Sequence, residues 1–463
     1  MPKPCVLFAA LALLTCMPAA FARDFHVRNF GARGDGTTLD TKAIQAAIDA
    51  AANAGAGRVV LTPGTYRSGS IFVKSHTTLD IEPGATIIGS EDLADYPMMP
   101  TRVAGIEMSW PAALVNVYEQ NDAKIVGGGT IDGDGKVWWD RYWALRRQYE
   151  PKGLRWAADY DARRPRLIQI YRSRNVTLAG PLLTRSGFWT VHICYSEVVH
   201  VNGIVIRNNV GGRGPSTDGI DIDSSRRVLV EHADISVNDD ALCLKAGRDA
   251  DGLRVNRPDE DIVIRDSTVR DGAAAITIGS ETSGGFRNVD VDNIRAFGNV
   301  PSGVLFKSAH TRGGWTDNIR IHGLRLTDVA IPVHVEMNWN PSYSYPTIPP
   351  GLTNTPPYYT VLATPVPSTE GLPHFRNVHI SDLTATGAKV AFEVSATPEA
   401  PLEGFVFDRI SIAAQKAGKI ADARNFSLTR VSIRTVDNSR LAFTDSRGLD
   451  LKDDSGITPA PQP

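Results

Sequence analysis

Three aspartates in two short segments are the residues of this sequence best suited to acid–base chemistry. Asp218 lies in Ser216-Thr-Asp-Gly, and Asp239 and Asp240 lie side by side in Asn238-Asp-Asp-Ala. The two segments are about one period of a chain-long repeat apart, and stacked parallel strands are separated by about 4.8 Å. The sequence therefore predicts that the three carboxyl groups lie within a few ångströms of one another.

Carboxyl groups this close suit the hydrolysis of a glycosidic bond. Like charges raise at least one pKa, so one group keeps its proton while another stays ionised. A glycosidase uses the protonated group to protonate the leaving oxygen and the ionised group to activate water. An aspartate at a turn also bonds the neighbouring backbone, and that structural interpretation applies to each of the three taken singly. Their convergence from adjacent repeats favours catalysis.

The repeat that positions these aspartates is a short alternating run opened by a turn residue. Asn175-Val-Thr-Leu, Asp261-Ile-Val-Ile, Asn288-Val-Asp-Val and Asn377-Val-His-Ile are examples, each followed by a second alternating run. The spacing of mostly about 22 to 34 residues is typical of a solenoid, and no helical period recurs between the runs. A β-sandwich also has many short strands but needs no period. The sequence therefore predicts an all-β fold, a right-handed parallel β-helix, because parallel crossovers prefer that hand.

The segment 40–53 departs from the repeat near the start of the chain. It places Ile44 and Ile48, together with two alanines, on one helical face, and Asp40 or Thr41 precedes them as an N-cap. The open end of a solenoid exposes its core, so an amphipathic helix there has a physical task. We expect a short helix that caps the N-terminal end of the β-helix.

Two further segments depart from the repeat towards the C-terminus. Residues 338–367 are rich in proline and tyrosine, which predicts a long loop inserted into the β-helix rather than ladder strand. That loop is either a plain surface excursion or a wall of a binding cleft. The tail, residues 451–463, is rich in proline, serine and aspartate and is expected to be disordered. The β-helix domain is therefore predicted over residues 23–450.

The first 22 residues have the features of a secretory signal peptide. Lys3 precedes the apolar run 6–14, which is too short to span a bilayer, and Ala20-Phe-Ala provides small residues for cleavage near Arg23. We therefore expect a secreted or periplasmic protein. Lipoprotein processing at Cys16 and a retained anchor are the two alternatives.

Composition limits the partners of the chain. Lys and Arg total 49 and Asp and Glu total 51, a net charge of −2 that gives no support to nucleic acid or to an anionic membrane. Cys194 and Cys243 remain after removal of the leader, and they either pair or stay as buried thiols. The sequence shows no metal-ligand constellation, so we expect no metal, no cofactor and a monomer.

Longer motifs surround the three aspartates. The chain contains Asn29-Phe-Gly-Ala-Arg-Gly-Asp-Gly, Gly127-Gly-Gly-Thr-Ile-Asp-Gly and Gly279-Ser-Glu-Thr-Ser-Gly-Gly. Ser216-Thr-Asp is similar to an N-T-D motif with serine for asparagine, and Asp239 begins a D-D motif. With these motifs the chain resembles glycoside hydrolase family 28, the polygalacturonase family, from about residue 25 to about residue 435. The N-terminal motifs are shared with other β-helix families, whereas the aspartate motifs are specific.

The resemblance implies a role for each candidate residue and a pectic polysaccharide as substrate. Asp239 would be the general acid, and Asp218 and Asp240 would hold and deprotonate the attacking water, with inversion at the anomeric carbon. Lys307 would contact the carboxylate of a galacturonate, unless it is a solvated lysine at the edge of a coil. Arg312 belongs to the same region of the family pattern and is the next candidate for substrate binding.

Two positions depart from the family pattern. The G-H-G motif reads Gly272-Ala273-Ala274, and Leu305 replaces the arginine of the R-x-K motif. Histidine and arginine there serve an acidic sugar, so their loss makes rhamnogalacturonan or another branched pectin a candidate beside polygalacturonan. Glu281 either compensates as a substrate-binding residue or stabilises a turn.

Two other functions fit the same residues. A pectate-lyase-type enzyme shares the solenoid and would hold calcium with the aspartate cluster during β-elimination. A non-catalytic polysaccharide-binding β-helix would have lost its activity together with the histidine and the arginine. Products distinguish them, because a lyase releases unsaturated uronides that absorb ultraviolet light, a hydrolase releases reducing ends without them, and a binding protein releases neither.

Overall fold

The computed structural model describes residues 23–458, so the predicted signal peptide lies outside the described residues. The chain folds as a right-handed parallel β-helix, which confirms the predicted architecture. One 32-stranded sheet contains every strand except those of an antiparallel hairpin. Within residues 23–458, no helix is long and apolar enough to cross a membrane.

The strands, in chain order, are β1 (Asp24–His26), β2 (Asp35–Leu39), β3 (Gly57–Leu61), β4 (Gly64–Ser68), β5 (Ile71–Phe72), β6 (Thr77–Ile81), β7 (Ala85–Gly89), β8 (Met98–Val103), β9 (Ile106–Pro111), β10 (Val115–Tyr118), β11 (Lys124–Val126), β12 (Thr130–Asp132), β13 (Ile168–Tyr171), β14 (Arg174–Ala179), β15 (Leu182–Thr184), β16 (Val191–Cys194), β17 (Glu197–Asn202), β18 (Val205–Arg207), β19 (Ile220–Asp223), β20 (Arg226–Glu231), β21 (Asp234–Ser236), β22 (Leu242–Lys245), β23 (Asp259–Asp271), β24 (Ala274–Ile278), β25 (Phe286–Asn299), β26 (Ser302–Lys307), β27 (Thr316–Thr327), β28 (Ile331–Glu336), β29 (Arg376–Ser395), β30 (Leu402–Ala421), β31 (Ala423–Arg424), β32 (Ser427–Thr435), β33 (Ala442–Thr444) and β34 (Asp450–Lys452). The helices are α1 (Thr41–Asn53), α2 (Lys136–Tyr149), α3 (Ala158–Asp161), α4 (Asp249–Val255), α5 (Pro341–Ser344), α6 (Pro357–Leu362) and α7 (Ser368–Gly371).

The ladder that carries the chemistry is one face of the β-helix. It stacks β5, β10, β13, β16, β19, β22, β24, β26 and β28 in parallel, one strand per coil. Alternation along each strand decides the direction of its side chains. In β19, Ile220 and Ile222 belong to the continuous apolar core, whereas Asp221 and Asp223 are on the outer face of the ladder. Both aspartates are nevertheless buried, because other segments cover this outer face.

The turn residues that open the repeats have a common backbone conformation. Asn175, Asp261 and Asn288 have φ angles of 55°, 58° and 54°, in the left-handed region that asparagine and aspartate tolerate best. Their side chains also bond from coil to coil, since Asn288 donates to Asp261 at 2.9 Å and Asn318 donates to Asn288 at 2.9 Å. The Asn and Asp pattern of the sequence therefore reflects a turn that recurs at one corner of the β-helix.

Helix α1 packs its apolar face on the first coils, as predicted. Ile44 and Ile48 are fully buried in the main core. The expected side-chain cap is absent from this helix: the Asp40 carboxylate instead accepts hydrogen bonds from the Arg33 and Gly34 N–H groups at 2.8 and 2.9 Å. The Thr41 hydroxyl accepts a hydrogen bond from the Gly69 N–H at 2.8 Å. Both side chains therefore join the helix to neighbouring loops.

Three insertions leave the β-helix on the side of the β19–β26 ladder. The first is the β8–β9 hairpin, the second contains α2 and α3, and the third connects β28 to β29 and contains α5, α6 and α7. They share a second hydrophobic cluster that includes Trp110, Trp156 and Tyr359. The segment predicted as a loop, 338–367, is therefore partly helical and packs against the other insertions.

The C-terminal segment is more ordered than its composition suggests. Strand β34 pairs with β32, and Ile457 is 5% exposed beside Leu441 in the main core. The prediction of disorder from residue 451 is therefore wrong as far as residue 458, because the last coil still offers core and ladder partners.

Cys194 and Cys243 are buried free thiols. This is the second of the two states that the sequence allowed.

Candidate active site

The structure brings the predicted aspartates together at one edge of the ladder. Asp218 is the second residue before β19, and Asp240 is the second residue before β22. The Gly219 N–H donates to the Asp240 carbonyl at 2.9 Å, so the two aspartates occupy equivalent positions in adjacent coils. One carboxylate oxygen of Asp218, one of Asp240 and the Cys243 Sγ lie within 4.8 Å of one another. Oxygens at this separation can bind one water between them.

Asp240 is the member of the cluster that stays ionised. Its Oδ2 bonds the Lys307 Nζ at 2.8 Å, and its Oδ1 accepts from the Thr277 hydroxyl at 2.9 Å. Burial works to raise the pKa of Asp240, but the charges of Lys307 and Lys245 and these two bonds outweigh it and lower the pKa below its ordinary value. Asp240 therefore suits the role of a base.

Asp239 has the opposite electrostatic balance. Asp239 lines the cleft and is only partly exposed. Burial of the carboxyl and the adjacent charge of Asp240 raise the pKa of Asp239 to about 6, against the opposing charges of Lys307 and Lys245. A carboxyl group with this pKa holds its proton in weakly acidic solution and can donate it. The neighbouring residues Asp239 and Asp240 therefore differ in protonation because only Asp240 has a lysine bonded to it.

Lys245 connects Asp218 to Glu281 and to Asp221, and neither Lys245 nor Asp221 was predicted from the sequence as a site residue. Its Nζ lies 3.4 Å from Asp218, 3.5 Å from Asp221 and 3.4 Å from Glu281, and it sits over the Trp189 ring at 4.9 Å. Burial favours the neutral amine, but the surrounding anionic groups raise the pKa of Lys245 well above its ordinary value. The alternation of β22, which directs Lys245 and Cys243 outwards, was the signal that could have identified this lysine.

Asp218 and Asp221 share this single lysine. Burial, then the charges of Asp221 and Asp239, raise the pKa of Asp218 well above its ordinary value. Burial raises the pKa of Asp221 to about 7, although Lys245 opposes the rise. Both oxygens of Asp221 are buried and have no hydrogen-bond partner within the described chain. The cluster thus contains more carboxyl groups than cations, so protons remain on part of it at neutral pH.

Glu281 lines the cleft. The Tyr343 hydroxyl donates to its Oε1 at 3.2 Å, and Lys245 lies beside its Oε2. Burial acts to raise the pKa of Glu281, and the charges of Lys245, Arg312 and Arg248 overcome it and lower the pKa. Glu281 is therefore a fixed carboxylate in the wall of the cleft.

Arg312 lies behind the cleft rather than in its wall. Its side chain is fully buried, forms an ion pair with Asp249 and donates to the Ser280 carbonyl at 3.0 Å. Direct contact with a sugar would require Arg312 to break its buried ion pair with Asp249, which is costly. The predicted substrate contact of Arg312 is thus at odds with its position, which instead supports the segment that carries Glu281.

The three insertions form the walls of the cleft. The hairpin contributes Ala104, the α2–α3 insertion contributes Arg155 and Asp159, and the third insertion contributes Trp339 and Tyr343. The cleft is open to solvent, and its cavity volume is about 70 Å³. The loop predicted from residue 338 is therefore a wall of the cleft, and its Trp339 ring lies 4.5 Å from the Lys307 Nζ.

Within residues 23–458, two groups of side chains have the composition of a metal site. Asp218, Asp240 and Cys243 form one, and His192, Cys194 and Asp223 form the other. In the first, lysines already compensate the carboxylates, and burial raises the pKa of the Cys243 thiol well above its usual value. In the second, Asp223 bonds Arg102 at 2.7 Å. Neither group resembles the set of six to eight oxygens that calcium prefers.

Comparison with known proteins identifies the family of this chain. Residues 101–355 match the family described as glycosyl hydrolases family 28, and residues 25–90 match one described as rhamnogalacturonase A/epimerase, pectate lyase-like.

The chain belongs to glycosyl hydrolases family 28. It is therefore a glycoside hydrolase.

Relatives of this family 28 enzyme occur in plants and bacteria. A probable polygalacturonase of Vitis vinifera is 28% identical over 85% of this chain and 75% of its own length. An exo-poly-alpha-D-galacturonosidase of Dickeya chrysanthemi is 26% identical over 68% of this chain and 57% of its own length. The crystal structure of a hyperthermoactive exopolygalacturonase from Thermotoga maritima has a TM-score of 0.72 and 26% identity, covering 93% of this chain and 92% of that one.

The two departures from the family pattern lie at the site. The Ala273 N–H donates to the Asp239 carbonyl at 2.9 Å, so the missing histidine would stand beside the candidate acid. Leu305 is 6% exposed and pairs with Thr277, whose hydroxyl bonds Asp240. Both replacements remove a cationic or polar group next to the aspartate cluster. Lys245, Lys307 and Arg155 are the cations that line the cleft within residues 23–458.

Proposed function

We propose that this family 28 enzyme hydrolyses α-galacturonosyl linkages of pectic polysaccharide from a chain end, with inversion. The unequal protonation of Asp239 and Asp240 supports this most directly, because an inverting hydrolase needs one acid and one base in the same cleft. The substrate class is supported by the family and by the names of the Vitis and Dickeya relatives.

Each aspartate has one task in the proposed reaction. Asp239 donates its proton to the glycosidic oxygen as the bond to the anomeric carbon breaks. Asp240 accepts a proton from the water that attacks the same carbon from the opposite face, and Asp218 orients that water. The proton lost by Asp239 and the proton gained by Asp240 balance, and solvent restores both groups after the products leave.

Action at a chain end is supported by the walls of the cleft. A polysaccharide that is cut in its middle needs a groove open at both ends. Here three insertions converge on one side and are held together, because the Tyr160 hydroxyl donates to the Ala104 carbonyl at 2.8 Å and the Tyr359 hydroxyl donates to Asp161 at 2.6 Å. A pocket bounded by three joined insertions suits a terminal sugar. The enzyme would then release short products from the start of the reaction while the viscosity of the polymer falls slowly.

The groups around the cleft bear on the choice of substrate. Lys307 is the proposed contact for a galacturonate carboxylate, but it also bonds Asp240. Glu281 repels a second acidic sugar and suits the hydroxyl groups of a neutral one. With Ala273 and Leu305 in place of histidine and arginine, we expect weak activity on unbranched polygalacturonan and better activity where galacturonate alternates with another sugar. Release of reducing ends from polygalacturonan and rhamnogalacturonan tests this, and equal rates would contradict it.

The products test the reaction class directly. We expect new reducing ends, no ultraviolet-absorbing unsaturated uronide, and the inverted anomer as the first product in a nuclear magnetic resonance time course. Unsaturated products would indicate a lyase, a retained anomer would make one aspartate a nucleophile, and binding without any product would indicate a non-catalytic protein. Export through the N-terminal leader is proposed from the sequence, and secretion of a tagged full-length chain tests it.

A further inference from the structure

A second depression lies on the other side of the β8–β9 hairpin from the catalytic cleft. The hairpin contributes Ala104 to the cleft and Glu107 to this second depression, which we call the basic groove. The basic groove is lined by Glu107, Arg172, Ser173, Arg174, Tyr195, Glu197, Val255 and Arg257. Its cavity volume is about 440 Å³, larger than that of the cleft. It is therefore large enough for several sugar units.

Aromatic rings contact two of the three arginines of the basic groove, Arg172 and Arg257. The Arg172 guanidinium lies 5.3 Å from the Tyr171 ring centre and 5.7 Å from that of Tyr195. Arg257 lies 5.3 Å from the Tyr195 ring centre. In the described part of the chain, neither Arg174 nor Arg257 has a carboxylate within 4.0 Å, and the one contact of Arg172 is with Glu107 at 3.9 Å. Cation–π contacts orient a guanidinium without neutralising its charge.

The acidic residues of the basic groove are already neutralised by other arginines. Glu107 bonds Arg254 at 2.5 Å, and Glu197 bonds Arg226 at 2.7 Å. Among the described residues, Arg174 and Arg257 therefore have no carboxylate partner and Arg172 has only the 3.9 Å contact with Glu107, in a chain whose total charge is −2. Burial and the repulsion of nearby arginines also lower the pKa of Arg257, consistent with a cation that lacks an acidic neighbour.

We propose that the basic groove binds a second segment of an acidic polysaccharide and retains the enzyme on its polymer. Carboxylates repeated along a sugar chain match a row of guanidinium groups, since each guanidinium can bond a carboxylate with two parallel N–H groups. The basic groove is outside the catalytic cleft and contains no group of the proposed reaction. Its loss weakens binding to polymer and leaves the hydrolysis of a short substrate unchanged.

The test compares two triple variants with equal charge. The groove variant carries Arg172→Gln, Arg174→Gln and Arg257→Gln. The control variant carries Arg295→Gln, Arg320→Gln and Arg325→Gln, which are exposed arginines of β25 and β27 that have no carboxylate partner among the described residues. For the binding measurement both are made in the Asp239→Asn background so that the polymer is not cut. Migration in native gels containing unbranched polygalacturonate, or a neutral galactan, gives the apparent Kd.

We expect the groove variant to bind polygalacturonate on the order of tenfold more weakly than the control variant. All the proteins should migrate equally in neutral galactan. In the active background, kcat and KM on a digalacturonate should be the same for both variants. Equal retardation of the two variants by polygalacturonate, or no retardation of the parent protein, would overturn the proposal. Because both variants carry the same Asp239→Asn change, the difference in binding between them reports on the basic groove and not on the proposed acid. Equal melting temperatures of the variants show that folding is retained.

Discussion

The catalytic cleft and the basic groove use cations in opposite ways. In the cleft, Lys245 and Lys307 are 4% and 5% exposed, and each bonds carboxylates. In the basic groove, Arg174 and Arg257 are open to solvent in part and are free of carboxylate partners within residues 23–458. A buried charge without a partner costs several kcal/mol, whereas water can compensate an exposed one. Because they are buried, the lysines shift the pKa values of the neighbouring carboxyl groups. The arginines are partly exposed and can therefore bind a ligand.

The largest expected effect is on kcat and comes from replacing Asp239, the proposed acid. Asp239→Asn keeps the shape of the side chain but cannot donate a proton, so kcat on natural substrates should fall by about 10²- to 10⁴-fold. Binding of the substrate should change little. A synthetic galacturonide with a good leaving group needs less protonation and should recover part of the rate. Steady-state kinetics on both substrates provide the measurement.

Asp218→Asn is the matched control for this variant. It should also be severely impaired, but the good leaving group should not restore its rate, because water activation is still required. Asp240→Asn should behave in the same way. If Asp239→Asn keeps more than about a tenth of the parent activity, an effect below about 1.4 kcal/mol, then Asp239 is not the acid.

The comparison also predicts different costs in stability for removing a cation. Lys245→Met leaves Asp218, Asp221 and Glu281 without their shared cation and should lower the free energy of unfolding by about 3–5 kcal/mol. Adding Asp221→Asn removes one buried carboxyl and should restore part of the loss. Arg257→Met in the basic groove should cost less than about 1 kcal/mol. Denaturant unfolding of the three variants gives their free energies of unfolding. Equal losses of stability in Lys245→Met and Arg257→Met would contradict the proposed difference between the cleft and the basic groove.

The pH dependence of kcat/KM tests whether Lys307 makes the pKa values of Asp239 and Asp240 differ. With Asp239 near a pKa of about 6, kcat/KM should fall as the pH rises through 6, because the acid loses its proton. The acidic limb should lie below the ordinary aspartate value of 3.8, since the pKa of Asp240 is lowered. Lys307→Met removes a positive charge from both groups, so both limbs should move to higher pH by on the order of one unit. Unchanged limbs would show that Lys307 does not control the pair.

The smallest expected effect is the response to salt. Exposed charges are screened within about 8–10 Å at physiological ionic strength, whereas buried pairs are screened much less. KM for polygalacturonate should therefore rise as sodium chloride is added, while KM for a digalacturonate changes less. The groove variant should lose this difference between the two substrates. A parallel rise for both substrates in the parent enzyme would place the salt-sensitive contact in the cleft instead.

Much of the fold and the position of the three aspartates followed from local patterns. The alternation of Ile220 and Ile222 with polar residues predicts a strand, and Asn175 and Asn288 predict the left-handed turn that recurs at one corner. Parallel strands stack at one spacing, so a motif before β19 and a motif before β22 must meet. The period of the sequence is sufficient for this inference, because each coil contacts mainly its neighbours.

The environment of those aspartates depended on segments remote in sequence. Asp221 and Lys245 belong to an outer strand face, which the alternation alone assigns to solvent, and the insertions bury both. Arg312 has the sequence context of a substrate contact, yet Asp249 binds it in the interior. The sequence by itself determined the ladder and the residues placed on it. The tertiary structure decided which of these residues are buried away from water. Desolvation and neighbouring charges then shift their pKa values, so that one carboxyl group can act as an acid and another as a base.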